Sequence, residues 1–215
     1  MHYGVRAPAR RRGIVTPVVI PIYFDYASTL CYIAWRIIRE LEGEMNFVTL
    51  WKGVPIAARD PRASAGRPLG DLERRKILMV SAETGIPVAP PQSWMDSTAA
   101  LEGSEIARDA GKFGPYHDSV FRAAFEDRID IGDRSVLERI ARDAGIDGDG
   151  FRADLDQRRM APRIEANRRE ADEFSALGYP TFILGDYPMI GIQPAETMRL
   201  VFERFIRNRR SEPHS

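Results

Sequence analysis

A second cysteine is missing. The 215-residue chain carries Cys31 alone, so it can form no intramolecular disulfide, no two-thiol exchange pair and no cysteine-rich zinc site. Such sparse use of cysteine agrees with a reducing compartment, and the cytoplasm is the expected location. Net charge is missing as well, since 31 Lys and Arg balance 31 Asp and Glu. No global field then draws the protein onto nucleic acid or an anionic bilayer, and neither is expected as a partner. No run of apolar residues approaches the roughly 18 that a membrane helix needs. There is no His-Glu-x-x-His pair and no glycine-rich phosphate loop, so no metal site is expected.

Arg6, Arg10, Arg11 and Arg12 precede the apolar run from Ile14 to Phe24, the outline of a secretory signal. Pro17 and Pro21 interrupt that run and no small-residue cleavage site ends it. The stretch reads better as a flexible basic arm over 1–17 followed by a core strand.

What the chain does have is periodicity. Val18 to Phe24 is a near-continuous β-branched and aromatic run, the pattern of a strand buried on both faces, with Pro21 weakening its first half. After the turn-like Asp25 to Ser28, apolar residues at Leu30, Ile33, Ala34, Ile37, Ile38 and Leu41 predict one buried helical stripe. A second strand is predicted over Asn46 to Trp51, which makes a βαβ unit. Lys52 to Pro91 is rich in Pro, Gly and Arg, with one helix predicted around Asp71 to Glu83.

From Ser97 to Phe174 the pattern is helical, with segments at Ala99 to Ala110, Tyr116 to Phe125, Ser135 to Ala144, Phe151 to Gln157 and Ala161 to Phe174. Asp133 is the expected N-cap of the third of these and Gly145 its terminator. Strands return at Thr181 to Leu184 and Met189 to Ile192 around a Gly185-Asp186 turn. A last helix follows Pro194, with Met198, Val201, Phe202, Phe205 and Ile206 on one face and a frayed tail from Asn208. The order βαβ, helical block, ββα predicts an α/β protein with a mixed four-stranded sheet.

The loop after the first strand of a βαβ unit lies at the carboxyl edge of the sheet, where a helix start presents unpaired N–H groups. Ser28 falls there, and Cys31 falls about one turn inside the helix. Such a terminus favours an anion, and a thiolate is one it activates. Serine is also among the best helix N-caps, and a lone cysteine on a helix also serves as a small core hydrophobe whose burial raises its pKa. On spacing, both readings stand.

Asp25-Tyr26-Ala27-Ser28-Thr29-Leu30-Cys31-Tyr32-Ile33-Ala34 resembles the active-site segment of the DsbA family, particularly its FrnE-like branch, where two cysteines flank a Pro-Trp pair. Gly178-Tyr179-Pro180-Thr181-Phe182 is similar to the family's Gly-Val-Pro-Thr-Phe segment, and Gly191-Ile192-Gln193-Pro194 resembles its Gly-Ala-Gln-Pro. The segments Gly111-Lys112-Phe113, Phe121-Arg122-Ala123-Ala124-Phe125 and Asp130-Ile131-Gly132-Asp133 are also similar, so the likeness runs from Val18 to Phe205.

The resemblance implies a thioredoxin-like fold with a DsbA-type helical insertion: one domain over 18–210, its thioredoxin core at 18–60 and 172–208 and its insertion at 65–171. It also implies a cis peptide before Pro180, facing the active-site turn. Ser28 stands where the family carries its exposed nucleophilic cysteine, and Thr29-Leu30 replaces the dipeptide that tunes it. A mixed disulfide on Cys31 would find no resolving thiol in the chain, so turnover requires an external one such as glutathione.

Serine at this place resembles 2-hydroxychromene-2-carboxylate isomerase and the kappa glutathione transferases, where a hydroxyl holds the glutathione thiolate. Gln193-Pro194 follows the oxidoreductase pattern, where the glutathione enzymes carry a Ser-Asp or Gln-Asp element. The implied site is Ser28 and Cys31 as catalytic pair, with Thr29, Leu30, Tyr179 and Pro180 binding a small-molecule, thiol or peptide substrate. The implied activities are thiol-dependent redox exchange, or glutathione-dependent isomerisation or transfer. A non-catalytic peptide-binding module is the third reading.

Other motifs carry less. Asp147-Gly148-Asp149-Gly150 begins like a calcium loop, but Arg158 occupies the place of its bidentate acid. His117 is expected to be packed or hydrogen-bonded rather than catalytic. The stretch from Arg158 to Arg169 is interleaved with Glu165 and reads as a solvated helix face.

Overall fold

The computed structural model describes residues 16–58 and 60–211, so the basic arm expected over 1–17 lies outside the described residues except at its last two positions. Strand β1 (Val18–Phe24) pairs in parallel with β2 (Phe47–Gly53), in a register that sets Val18 against Phe47 and Phe24 against Gly53. The helix between them, α1 (Thr29–Glu44), makes the crossover, and its buried stripe includes Cys31, Ala34, Ile38 and Leu41. Strand β3 (Thr181–Leu184) pairs antiparallel to β1, and β4 (Tyr187–Ile190) pairs antiparallel to β3, giving the order β2-β1-β3-β4. Only Ile22 and Tyr23 of β1 pair with β3. Pro21 therefore lies where β1 has a neighbour on one side alone, which is where a strand tolerates a missing N–H.

Between β2 and β3 come α2 (Asp71–Thr84), α3 (Thr98–Asp109), α4 (Phe113–Phe125), α5 (Arg134–Asp143), α6 (Gly148–Asp156) and α7 (Ala161–Glu173). The final helix, α8 (Ala195–Ser211), sets Phe202 edge-on to Phe47 of β2 and to Phe182 of β3. This α/β arrangement, a mixed four-stranded sheet interrupted by a helical block, matches the expected thioredoxin-like fold with a DsbA-type insertion.

The boundaries differ from expectation in instructive ways. The second hairpin strand was expected at Met189 to Ile192 and is found at Tyr187–Ile190. Gly185, at φ +69°, completes a two-residue turn with Asp186, so pairing starts at once with Leu184 against Tyr187, and Gly191 at φ +81° ends it. Helix α4 starts at Phe113 instead of Tyr116 because Pro115 falls in its first turn, where no N–H is needed. Helix α6 starts at Gly148, since the Asp147 carboxylate caps it by accepting the N–H groups of Asp149 and Gly150 at 3.3 and 3.1 Å. The tail expected to fray from Asn208 instead continues α8 to Ser211, and Arg210 donates to the Asn46 carbonyl at 3.2 Å.

Two kinds of contact join the layers. Trp35 of α1 donates its indole N–H to Asp118 of α4 at 3.1 Å, and Tyr32 donates to Glu126 at 2.9 Å. A ring cluster of Phe24, Tyr26, Trp35, Trp51, Phe113 and Phe121 surrounds His117 at the meeting of β1, β2, α1 and α4. No helix among the described residues is long and apolar enough to cross a membrane.

Candidate active site

The site begins where β1 ends. Asp25 is fully buried, and one of its carboxylate oxygens accepts the Ala27 N–H at 2.8 Å while the other accepts the N–H of Ile56. Its backbone carbonyl accepts the Ser28 N–H at 3.1 Å. One side chain thus shapes the turn into α1 and ties it to the loop after β2. Burial raises the Asp25 carboxyl above the ordinary carboxylate value, opposed by the hydrogen bonds from Ile56, Ser97 and Ala27.

Ser28 is the N-cap of α1, with extended backbone at φ −92° and ψ 115°. Its carbonyl accepts the N–H groups of Cys31 and Tyr32 at 3.0 and 3.2 Å, and its hydroxyl accepts the Cys31 N–H at 3.4 Å. That last contact is long for a hydrogen bond, and an accepting hydroxyl keeps its own proton for a second partner. Ser28 is 7% exposed, yet it lines a cavity of about 440 Å³. Thr29, Leu30 and Tyr179 line the same end of that cavity.

Cys31 is fully buried and does not line the cavity. Burial pushes its thiol up to about 12, offset only in part by the Ser28 hydroxyl and the Asp25 backbone. The Tyr179–Pro180 peptide is cis, and the Pro180 carbonyl accepts the Gly191 N–H at 2.7 Å, holding the turn against the end of β4. Pro180 is buried and is not part of the cavity lining. Of the six residues singled out in the sequence, the fold gathers Ser28, Thr29, Leu30 and Tyr179 around one space and sets Cys31 and Pro180 behind it.

The opposite wall was not foreseen. It consists of α2 residues, chiefly Ile77 and Val80, together with Trp94 and Met95 from the segment before α3. Helix α2 buries none of its residues, which is why its apolar positions carry no clean stripe. The available signal was an excess: Leu72, Ile77, Leu78, Met79 and Val80 on a helix of 14 residues flanked by Pro- and Gly-rich loops are too many for a purely solvated helix.

His117 is fully buried and its Nδ1 lies 2.7 Å from the Tyr26 hydroxyl. Burial, helped by nearby Arg108, drives its pKa well below the ordinary histidine value, so the ring is neutral. It lines no part of the cavity. Asp147 caps α6, as noted, and among the described residues no cluster of His, Cys, Asp and Glu could hold a metal ion.

A parallel β1–β2 pair, an antiparallel β3–β4 hairpin, a helical block between them and a helix start that shares a cavity with a cis-prolyl turn define a thioredoxin-fold protein of DsbA type. The chain belongs to the DSBA-like thioredoxin domain family, whose sequence profile matches residues 19–203. It is 26% identical over 199 residues to the uncharacterized protein YwbO of Bacillus subtilis, covering 88% of this chain and 96% of that one. Among solved structures it resembles 2-hydroxychromene-2-carboxylate isomerase with a TM-score of 0.74 and 19% identity, over 90% of this chain and 97% of that one. It also resembles the cytosolic disulfide reductase DsbM of Pseudomonas aeruginosa, solved with GSH, with a TM-score of 0.68 and 18% identity, over 88% of this chain and 100% of that one.

Proposed function

We propose that this protein is a thiol-dependent enzyme that works through an external thiol, glutathione, held as a thiolate by the Ser28 hydroxyl at the start of α1. The observation that carries this reading is the division of labour between two neighbours. Ser28 reaches the cavity, whereas the chain's one thiol, Cys31, is sealed behind it with its pKa pushed up to about 12. A thiol that stays protonated and out of reach is no nucleophile.

A hydrogen bond to a charged group contributes roughly 1.5–3 kcal/mol. That lowers the pKa of a bound thiol by about one to two units, enough to ionise much of it near neutrality. The disulfide reductase solved with GSH supports glutathione as the thiol, and its cytosolic setting fits action in the cytoplasm. In the redox version, the glutathione thiolate attacks one sulfur of a substrate disulfide and expels the other as a thiolate. A second glutathione then resolves the mixed disulfide, so the substrate gains two electrons and two glutathiones become one disulfide. Cys31 is auxiliary, packing under the helix start. Tyr179 and Pro180 position the extended backbone of glutathione beside Ser28.

A second reading, addition of the same thiolate to an electrophilic small molecule with isomerisation or transfer, is favoured by the apolar character of the far wall. Both readings are tested by titrating glutathione while following thiolate absorbance in the ultraviolet. Thiolate develops in the wild type and in Cys31→Ala and is lost in Ser28→Ala. Absence of thiolate in the wild type, or its persistence in Ser28→Ala, overturns the proposal.

A further inference from the structure

We infer that the outer face of α2 is a self-association surface, through which two copies of this chain pair antiparallel about a two-fold axis close to Met79. The inference is independent of the thiolate reading, because it concerns the side of α2 turned away from the cavity.

Helix α2 has two distinct sides. Glu73, Ile77 and Val80, spaced four and three apart, line the cavity. The other side carries Leu72, Leu78 and Met79, which are 62%, 52% and 55% exposed, with Ala82 exposed beside them. Met79 also reaches the cavity rim. Exposed apolar residues are ordinary when scattered singly. Three of them on one helix that buries none of its own residues form a patch, and a patch calls for a partner.

The spacing of that side points to another helix. Leu72, Arg75, Met79 and Ala82 repeat at intervals of three, four and three, the seam of a two-helix coiled coil. Arg75 fits such a seam by laying its stem along apolar surface and keeping its guanidinium at the edge. Lys76 and Glu83 flank the seam on one side, a heptad apart. Neither forms an ion pair among the described residues, whereas Glu73 is held by Arg67 at 2.6 Å.

Charge then selects both the partner and its direction. Reversing one copy sets the flank that holds Lys76 and Glu83 against the same flank of the other. Lys76 thereby faces the partner's Glu83, and Glu83 faces the partner's Lys76, in a self-complementary contact of the kind a two-fold dimer requires. A parallel pair sets Glu83 against Leu78 instead. A helix of 14 residues is about 21 Å long, so the contact sits at the small end of specific interfaces and the dimer is reversible.

The test is sedimentation equilibrium of the full chain over a range of concentrations, in buffer without glutathione. The wild type passes from monomer to dimer as concentration rises. Lys76→Glu and Glu83→Lys each weaken the dimer about tenfold or more, because like charges then meet twice across the axis. Combining Lys76→Glu with Glu83→Lys returns the dissociation constant to that of the wild type. The two positions lie roughly 10 Å apart along the helix, so this rescue cannot arise inside one chain. Met79→Glu abolishes the dimer while the far-ultraviolet dichroism stays that of the wild type. A wild type that remains monomeric at every concentration, a dimer indifferent to Met79→Glu, or a double exchange that fails to restore it overturns the inference. So does a monomer that sediments with phosphatidylglycerol vesicles, which gives the face to a lipid surface. Because no thiol takes part, none of these outcomes bears on the Ser28 reading.

Discussion

Two residues separate Ser28 from Cys31, and the fold treats this pair oppositely: the first caps the helix and lines the cavity, the second is buried in the core. This makes the thiol a sensitive reporter. A thiol held up at about 12 has, near pH 8, roughly a thousandfold less thiolate than one at the reference value. Alkylation of Cys31 is therefore expected to be silent in the native protein and prompt in denaturant, measured by mass after iodoacetamide. Rapid native labelling would show that the sulfur reaches solvent and would restore it as a nucleophile. Ser28→Ala also removes the N-cap and is expected to lower stability by about 1 kcal/mol, read from urea unfolding. A stability loss of that size alongside abolished thiolate formation separates chemistry from structure, since Cys31→Ala perturbs the same turn without touching the thiolate.

Between elements, close approach and burial set the constraints. A Cβ on Gly103 of α3 would come within 2.2 Å of the Tyr116 hydroxyl and 2.8 Å of Phe151, joining three helices of the insertion at one point. Gly103→Ala is expected to cost about 1–3 kcal/mol by overpacking, seen as a shift of the urea midpoint. His117 adds a pH dependence. Its folded pKa is depressed, so the unfolded chain binds a proton the native one refuses, and stability falls as pH drops through the ordinary value of about 6.5. The slope contributed is up to about 1.36 kcal/mol per pH unit. In His117→Asn, which keeps an acceptor for Tyr26, the unfolding free energy is expected to lose that slope between roughly pH 6.5 and 5. An unchanged slope would place the titration elsewhere.

At this scale the sequence spoke unevenly. The stripe of α1 was legible because its period is set by burial on one face, and the run of β1 because Ile22 to Phe24 are buried on both faces, while Val19 in its first half is exposed. Strand β4 slid by two residues because Tyr187 and Pro188, both exposed, carry no buried alternation to mark it. The α2 wall was hard to read because its apolar residues share no single buried face: Ile77, Met79 and Val80 line the cavity, whereas Leu72 and Leu78 are exposed, so periodicity has little to report. The Ser28 end was legible through its place at the strand–helix junction. Which of Ser28 and Cys31 meets the cavity depended on packing that spacing does not encode.

For the molecule as a whole, the question is whether the sheet and the inserted helices are one folding unit. The thioredoxin strands lie at both ends of the chain with six helices between them, a layout that would permit two independent transitions. Packing argues against that. The buried apolar residues form a single cluster that runs from Ile20 and Phe24 in β1 through Phe121 in α4 to Leu155 in α6 and Phe202 in α8. The rings around His117 fasten β1, β2 and α1 to α4, while Asn167 of α7 donates to the Gly53 carbonyl of β2 at 3.3 Å. Opening either layer exposes the shared apolar surface of both, so partial unfolding gains little chain entropy for a large loss of burial. Trp35 and Trp51 report on that junction, and far-ultraviolet dichroism is dominated by the helices, most of which belong to the insertion. Urea unfolding followed by tryptophan fluorescence and by far-ultraviolet dichroism is expected to give superimposable transitions with one midpoint. A dichroism change that precedes the fluorescence change would mean that the insertion melts on its own, and that the cavity between α2 and Ser28 is assembled only after the sheet has formed.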